Sequence, residues 1–141
     1  MSYTYKFAYS RSPLPLLLCK TPKGKEFFAL IDTGSEITLL DKNLDDEIVE
    51  AQEEEQHLVL HSMHGEEETS QRIGTIKTSI LDIGCKEREI NFNGVVSDLS
   101  SVSGFMKETY NMKQDILAVI GSDYLNKESA VIDCEQGKIT I

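Results

Sequence analysis

Several residue types are scarce in this sequence of 141 residues, which has no tryptophan, only three prolines and only three cysteines. The cysteines, Cys19, Cys85 and Cys134, are widely spaced and odd in number, which favours neither a disulfide framework nor a zinc site. We interpret them as reduced and mostly buried thiols. No run approaches the ~20 apolar residues of a membrane-spanning helix, and the first residues lack the pattern of a signal peptide. We therefore expect a cytoplasmic protein that has no membrane partner.

Basic residues are scarce as well. The chain has 14 lysines and arginines against 24 aspartates and glutamates, which gives a net charge of −10. Because nucleic-acid phosphates and anionic lipids are bound by clustered Lys and Arg, we expect no nucleic-acid partner and no docking on anionic lipid. The length suits one hydrophobic core, and no repeat or linker divides the chain. We therefore expect a single domain over residues 1–141.

Runs of apolar and β-branched residues separated by turn signals predict a mainly β protein. The strand candidates are residues 14–20, 26–31, 37–40 and 89–96. The sequence Thr-Pro-Lys-Gly at 21–24 predicts the turn of a hairpin. Residues 41–56 have partly helical spacing and begin with Asp41, a good helix cap, so we predict a helix there. One or two helical turns are also predicted at 106–112, within a longer segment, 97–114, whose role the sequence does not indicate.

A second hairpin is predicted in the middle of the chain. Residues 57–62 and 72–83 both alternate between apolar and polar side chains, as strands with one buried face do. Between them the chain reads Met-His-Gly-Glu-Glu-Glu, and we place the hairpin tip at Met63, His64 and Gly65. Gly65 would supply the backbone freedom that a tight tip requires. The sequence alone is equally consistent with an ordinary surface hairpin and with one that moves over a cleft.

The motif Asp32-Thr33-Gly34, followed by Ser35, is the most informative feature of the sequence. It lies within the apolar run FFALIDTGSEITLL at residues 27–40. A buried carboxylate is costly unless hydrogen bonds hold it, and here a glycine and two hydroxyl side chains can supply them. Gly34 also lets backbone amides approach the carboxylate closely. The segment can therefore present one carboxylate at the floor of a cleft, as activation of a water molecule requires, although a structural Asp in a turn is the alternative.

This motif resembles the catalytic loop of retropepsin-like aspartic proteases. Residues 116–125, ILAVIGSDYL, are similar to the apolar-apolar-Gly element that crosses behind the catalytic loop in that family. Residues 129–141, SAVIDCEQGKITI, follow as a strand, a turn and a short closing strand. The order of the three elements is similar to the bacterial, retroviral-like branch. The resemblance runs from about residue 15 to 141 and implies a mainly β acid-protease barrel with a short helix or two.

The resemblance also implies roles for individual residues. Asp32 would be catalytic, and Thr33 would make a hydroxyl-to-backbone link across a dimer axis. Gly34 would allow close approach, and Ser35 would donate to the outer carboxylate oxygen. The loop would be supported from behind by Val119, Ile120 and Gly121, and the hairpin tip would be the flap that closes over substrate. Two features depart from retroviral enzymes: Ser122 stands where Arg or Asn is common, and residues 66–68 would make an acidic tip where the retroviral flap is rich in glycine.

Peptide hydrolysis by this route needs two facing carboxyl groups that share one proton, because like charges a few ångströms apart cannot both ionise easily. The chain has a single Asp-Thr-Gly, so we predict a C2 homodimer in which each subunit contributes Asp32. The predicted function is an aspartic endopeptidase acting on polypeptides without a cofactor. A non-catalytic peptide-binding or structural dimeric barrel is the alternative. His57, His61 and His64 suggest a metal site only weakly, since no His-Glu-x-x-His motif is present, and we predict none.

Overall fold

The computed structural model describes residues 3–8, 15–50, 56–62, 65–81 and 88–141. The helices are α1 (Ser100–Tyr110) and α2 (Ser122–Lys127), and a single 3-10 turn covers Lys42–Leu44. The strands are β1 (Thr4–Lys6), β2 (Leu16–Lys20), β3 (Glu26–Ile31), β4 (Leu39–Asp41), β5 (Val49–Glu50), β6 (Gln56–Ser62), β7 (Gly65–Gln71), β8 (Ile73–Ile80), β9 (Arg88–Ser97), β10 (Ile116–Ile120), β11 (Val131–Asp133) and β12 (Lys138–Thr140).

Six strands close into a barrel in the order β2-β3-β10-β4-β9-β8, and β8 returns to pair with β2. The β3–β10 and β4–β9 pairs are parallel, and the other pairs in the ring are antiparallel. Strands β3 and β10 are nearly continuous apolar runs, as strands covered on both faces usually are. The predicted fold class, a mainly β barrel with a short helix or two, is confirmed.

Two hydrophobic cores lie on opposite faces of β3 and β10. Phe27, Ala29 and Ile31 face the barrel interior, where they cluster with side chains of β8 and β9. Phe28 and Leu30 point the other way, into a second cluster that includes side chains of α1 and the segment after it. Helix α1 therefore covers the outer face of β3 and β10. Because both faces of β3 and β10 are packed, the strand pair is a rigid support for the residues that follow its carboxyl ends.

The hairpin of β2 and β3 forms as predicted. Its turn is closed by Gly24, which has a φ of +92° and donates its N–H to the Thr21 carbonyl at 2.9 Å. Only glycine adopts such a φ without strain, so the turn signal in the sequence has a direct physical cause. The predicted strand at 26–31 has the observed bounds, and the predicted strand at 89–96 falls inside β9.

The helix predicted at 41–56 is wrong where the structure describes the chain. Lys42–Leu44 is a single 3-10 turn, Val49–Glu50 is strand β5 beside β8, and Gln56 begins β6, while residues 51–55 lie outside the described ranges. Asp41 does cap the turn, because its carboxylate accepts the Asn43 N–H at 2.8 Å. The same buried carboxylate also accepts the Leu99 N–H at 2.8 Å. Tertiary pairing of this segment overrides its partly helical spacing.

The partner predicted for the 57–62 strand is also wrong. Strand β6 pairs antiparallel with β7, Gly65–Gln71, and these two strands form a separate sheet. Within the run predicted at 72–83, Ile73–Ile80 is instead β8 and pairs with β9, β2 and β5, while residues 82 and 83 lie outside the described ranges. Residues 66–68 consequently belong to a strand arm and not to the tip. Strand β7 reads GEEETSQ, so it is defined by backbone pairing with β6 and not by an apolar pattern.

The segment 97–114 contains a longer helix than predicted. Helix α1 begins at Ser100 and ends before Asn111, which adopts the left-handed conformation typical of a helix terminus.

The described residues contain no helix long and apolar enough to cross a membrane. The chain then ends in the predicted strand, turn and closing strand, which join β1 in a three-stranded sheet.

The cysteines differ in burial. Cys19 is buried, and burial raises the pKa of its thiol to about 12. Cys134 is exposed, contrary to the interpretation that the cysteines are mostly buried, and Cys85 lies outside the described residues.

Candidate active site

Asp32 directly follows β3, at the end of the strand where β10 runs beside it. Its backbone N–H donates to the Ile120 carbonyl at 2.9 Å, which extends the pairing of the two strands by one residue. The Ser35 N–H donates back to the Asp32 carbonyl at 3.1 Å, so Thr33 and Gly34 occupy the centre of a tight turn. We call residues 32–38 the Asp32 loop. The loop thus begins from a strand pair that is packed on both faces.

The Asp32 carboxylate is held by its own loop. Its Oδ1 accepts the Gly34 N–H at 3.0 Å. A Cβ atom at Gly34 would lie 3.3 Å from the same oxygen, so a larger residue would crowd this contact. Asp32 is half-buried, whereas Thr33 and Gly34 are exposed. The loop therefore offers a restrained, half-buried carboxylate beside two exposed residues.

Ser35 has a different partner from the one the resemblance implies. Its hydroxyl donates to the Ile37 carbonyl at 2.7 Å and not to the Asp32 carboxylate. The hydroxyl has a single proton, so this contact uses its donor and stabilises the path of the loop after the turn. Thr33 is exposed, and its predicted contact across a dimer axis stays a prediction.

The structure places Gly121 directly against the Asp32 loop. The Ser122 N–H donates to the Ser35 carbonyl at 2.7 Å. A Cβ atom at Gly121 would lie 2.7 Å from backbone atoms of Ser35 and Ile37. Real Cβ atoms do not approach backbone so closely, so only glycine fits here without displacing the loop. Val119 and Ile120 precede it in β10, and both are buried.

Two residues outside the predicted site, Thr38 and Asp123, also hold the loop. Thr38 is fully buried, and its hydroxyl donates to Asp123 Oδ1 at 2.7 Å while accepting the Gly121 N–H at 3.1 Å. The Thr38 N–H donates to Asp123 Oδ2 at 3.1 Å. The sequence does carry a signal for Asp123, because Gly-x-Asp follows the apolar strand β10 directly and begins α2. No pattern in the residues around Thr38 indicates its role.

Helix α2 is anchored so that Asp123 is kept in place. The Tyr124 ring packs edge-on against Phe92 at a centroid distance of 4.9 Å, and Leu125 is buried in the barrel core. Burial, aided by the nearby Glu128 charge, raises the pKa of Tyr124 to about 12. Its phenol therefore stays neutral at physiological pH. The Tyr124 N–H also donates to Asp123 Oδ1 at 2.8 Å, which further restrains the carboxylate.

A shallow cavity of about 230 Å³ lies beside the Asp32 loop. Ile37, Ile73 and Val95 give it an apolar lining, and Asp123 contributes a polar edge. The volume is below the ~300–1,000 Å³ of typical small-molecule sites, so the cavity suits a single side chain better than a whole ligand. Asp32 is not among its lining residues.

The predicted flap tip is described only in part. Gly65 begins β7 and lies opposite Ser62 of β6, whereas Met63 and His64 lie outside the described residues. A hairpin with seven-residue arms is thus present in this part of the chain. Its movement over the Asp32 loop stays a prediction.

Comparison with known proteins adds a distant structural likeness. No protein-family model and no curated protein matches the chain. Among solved structures, it is similar to the retroviral protease-like domain of Ddi1 from Leishmania major, with a TM-score of 0.44 and 15% sequence identity. The match covers 87% of this chain and 83% of that one. This likeness is too distant to assign an activity.

Proposed function

We propose that the protein is an aspartic endopeptidase of the retropepsin-like class, in which Asp32 from each of two identical subunits forms the catalytic pair. The observation that carries the proposal is the restrained, half-buried Asp32 carboxylate, held by the Gly34 N–H in a turn at the end of β3. The close approach of Gly121 behind that turn supports it, because this is the arrangement that the resemblance implies.

The chemistry follows from pairing two such loops. One carboxylate would be ionised and take a proton from water, while the other would stay protonated and polarise the carbonyl of the scissile bond. The sequence has one Asp-Thr-Gly, so a single chain supplies half of this machinery. A two-fold axis between the loops is the simplest arrangement that supplies both halves.

The proposed substrate is a polypeptide. Thr33 and Gly34 of the Asp32 loop are exposed, as contact with an extended chain would require, and the apolar cavity beside Ile37 is sized for one side chain. The β6–β7 hairpin is the proposed flap. No cofactor enters the proposed reaction, because two carboxyl groups and water supply its acid, base and nucleophile.

The replacement Asp32→Asn tests the assignment. The amide is nearly isosteric and its oxygen can still accept the Gly34 N–H, so the free energy of unfolding should change by less than about 0.5 kcal/mol. The amide cannot act as a base, so cleavage of a fluorescence-quenched unfolded polypeptide should fall by at least about 100-fold. Asp46→Asn, which changes an exposed carboxylate outside the loop, is the matched control and should retain activity. A folded Asp32→Asn protein that cleaves at the parent rate would reject the assignment.

Mixing the parent and Asp32→Asn chains tests the shared pair. In an equal mixture that exchanges subunits randomly, about a quarter of the dimers carry two carboxylates, so activity per total protein should fall to about a quarter. If each chain were active alone, the mixture would keep about half. Activity of the parent should also fall more steeply than protein concentration on dilution, by mass action. Tight peptide binding with no cleavage at any concentration or pH would instead favour the non-catalytic barrel.

A further inference from the structure

We infer that Asp123 is a positioning residue that acts through Thr38 to hold the Asp32 loop in its working place against β10. The inference rests on the proposed peptidase function for its effect on catalysis. Its structural basis is independent of that function. The Asp123 carboxylate receives both the hydroxyl proton and the backbone N–H of Thr38, at 2.7 and 3.1 Å.

Thr38 is held on every polar atom it has. Its hydroxyl and N–H donate to Asp123, its hydroxyl oxygen accepts the Gly121 N–H at 3.1 Å, and its carbonyl accepts the Val95 N–H at 2.9 Å. Thr38 is fully buried, so water cannot replace a lost partner. Losing one side of this set would leave buried donors or acceptors unsatisfied, which is costly.

The arrangement fixes the Asp32 loop at three points. Its first residue is held by the Ile120 carbonyl, its middle by the Ser122 N–H at the Ser35 carbonyl, and its last residue by Asp123. All three supports come from residues 120–123. Without the third support, the hydrogen bonds at the other two would open more often, and the Asp32 carboxylate would shift. A displacement of about 1 Å at reacting groups can lower a rate by about 100-fold.

A carboxylate suits this position better than an amide. Both contacts from Thr38 are donors, and each of the two carboxylate oxygens of Asp123 accepts one of them. Asparagine would turn its NH2 group toward one of these donors, because it has only one acceptor oxygen. Asp123→Asn should therefore weaken the support almost as much as Asp123→Ala, although the shape of the side chain is conserved.

Variants of Thr38 provide the sharpest test. Thr38→Val removes the hydroxyl with little change in shape, and kcat should fall by about 10- to 100-fold while KM is nearly unchanged. Thr38→Ser retains the hydroxyl and should recover most of the lost kcat. Thr78→Val is the matched control, because Thr78 is equally buried and its hydroxyl donates to the Lys20 carbonyl at 3.0 Å, at the end of β8 that pairs with β2. Its kcat should stay close to the parent value.

The coupling between the two residues is measured by a double-mutant cycle. If Asp123 acts through Thr38, the combined variant Thr38→Val with Asp123→Ala should lower kcat little more than the worse single variant. Effects that multiply would show that the two side chains act separately, and would overturn the inference. A kcat for Thr38→Val equal to that of the parent, or no recovery in Thr38→Ser, would overturn it as well.

Amide hydrogen exchange supplies a readout that does not need activity. In Thr38→Val, protection of the Asp32 and Ser122 amides should fall at least about tenfold more than protection of the β2–β3 amides. In Thr78→Val these two amides should not be selectively affected. A uniform loss of protection in Thr38→Val would indicate general destabilisation and overturn the inference. If the parent cleaves no peptide, the proposed function fails, and the exchange pattern still decides whether this support exists.

Discussion

The replacement Gly121→Ala probes the closest backbone contact at the candidate site. A Cβ atom built on Gly121 meets the Ser35 carbonyl oxygen and the carbonyl group of Ile37 at 2.7 Å. Favourable contacts between non-bonded heavy atoms begin near ~3.5 Å, so the methyl group must push the backbone away by about 1 Å. All three atoms belong to the backbone, which cannot move away by changing rotamer as a flexible side chain does.

The expected cost combines three contributions. Overpacking of this kind destabilises by about 1–3 kcal/mol. The shift also strains the hydrogen bonds from the Gly121 and Ser122 amides, each worth about 1 kcal/mol. Replacing glycine restricts the unfolded chain and returns about 0.4–1 kcal/mol. The net loss in the free energy of unfolding is therefore expected to be about 2–4 kcal/mol.

Gly104→Ala is the matched control, with the same chemical change and the opposite expected sign. Gly104 lies in α1, and a Cβ atom there has nothing within 4 Å. Alanine is the better helix former, so this variant should gain about 0.5–1 kcal/mol. In urea unfolding, Gly121→Ala should lower the midpoint by about 1–2 M, and Gly104→Ala should raise it slightly. A Gly121→Ala protein within about 0.5 kcal/mol of the parent would refute the steric reasoning.

Two further predictions concern carboxylates away from the Asp32 loop. Asp41→Ala should lower the free energy of unfolding by about 2–4 kcal/mol, because the Asn43 and Leu99 amides lose a buried carboxylate acceptor. A loss below about 0.5 kcal/mol in urea unfolding would contradict this. The hydrogen bond from Lys107 holds the pKa of Asp115 below its ordinary value, while partial burial opposes the shift. The stability that Asp115 contributes is thus present above about pH 4 and is lost as the pH falls below it. Asp115→Asn should make that acid loss of stability shallower, and an unchanged slope in urea unfolding across pH would count against the assignment.

The parts of the fold that the sequence predicts well are those with local causes. Strand β3 is an unbroken apolar run next to a turn whose glycine has a positive φ, and both features are visible in the sequence. Strand β10 and the glycine after it are also visible in the sequence, as a run of five apolar residues followed by Gly121. The Asp32 motif lies between such elements, so its position at a strand end could be predicted.

The parts that could not be predicted depend on contacts between distant residues. In the sequence Asp41 is typical of a helix cap, but its carboxylate also accepts the N–H of Leu99, 58 residues away. The chain after Asp41 forms a 3-10 turn and strand β5 instead of a helix. Strand β7 is almost entirely polar, so its pairing with β6 has no hydrophobic signature. Thr38 and Asp123 are 85 residues apart in the sequence, and no local pattern predicts their contact.

That long separation has a consequence for the order in which the protein is made. The Asp32 loop and the β10–α2 segment that supports it are 85 residues apart at the Thr38–Asp123 contact. A ribosome adds roughly 5–20 residues per second, so the loop emerges about 4–17 s before its support does. Parallel pairing of β3 with β10 also requires closing this long chain segment, which slows folding. A growing chain therefore carries the Asp32 motif before its supports exist, and the loop is held against β10 only after residues 120–123 have been made.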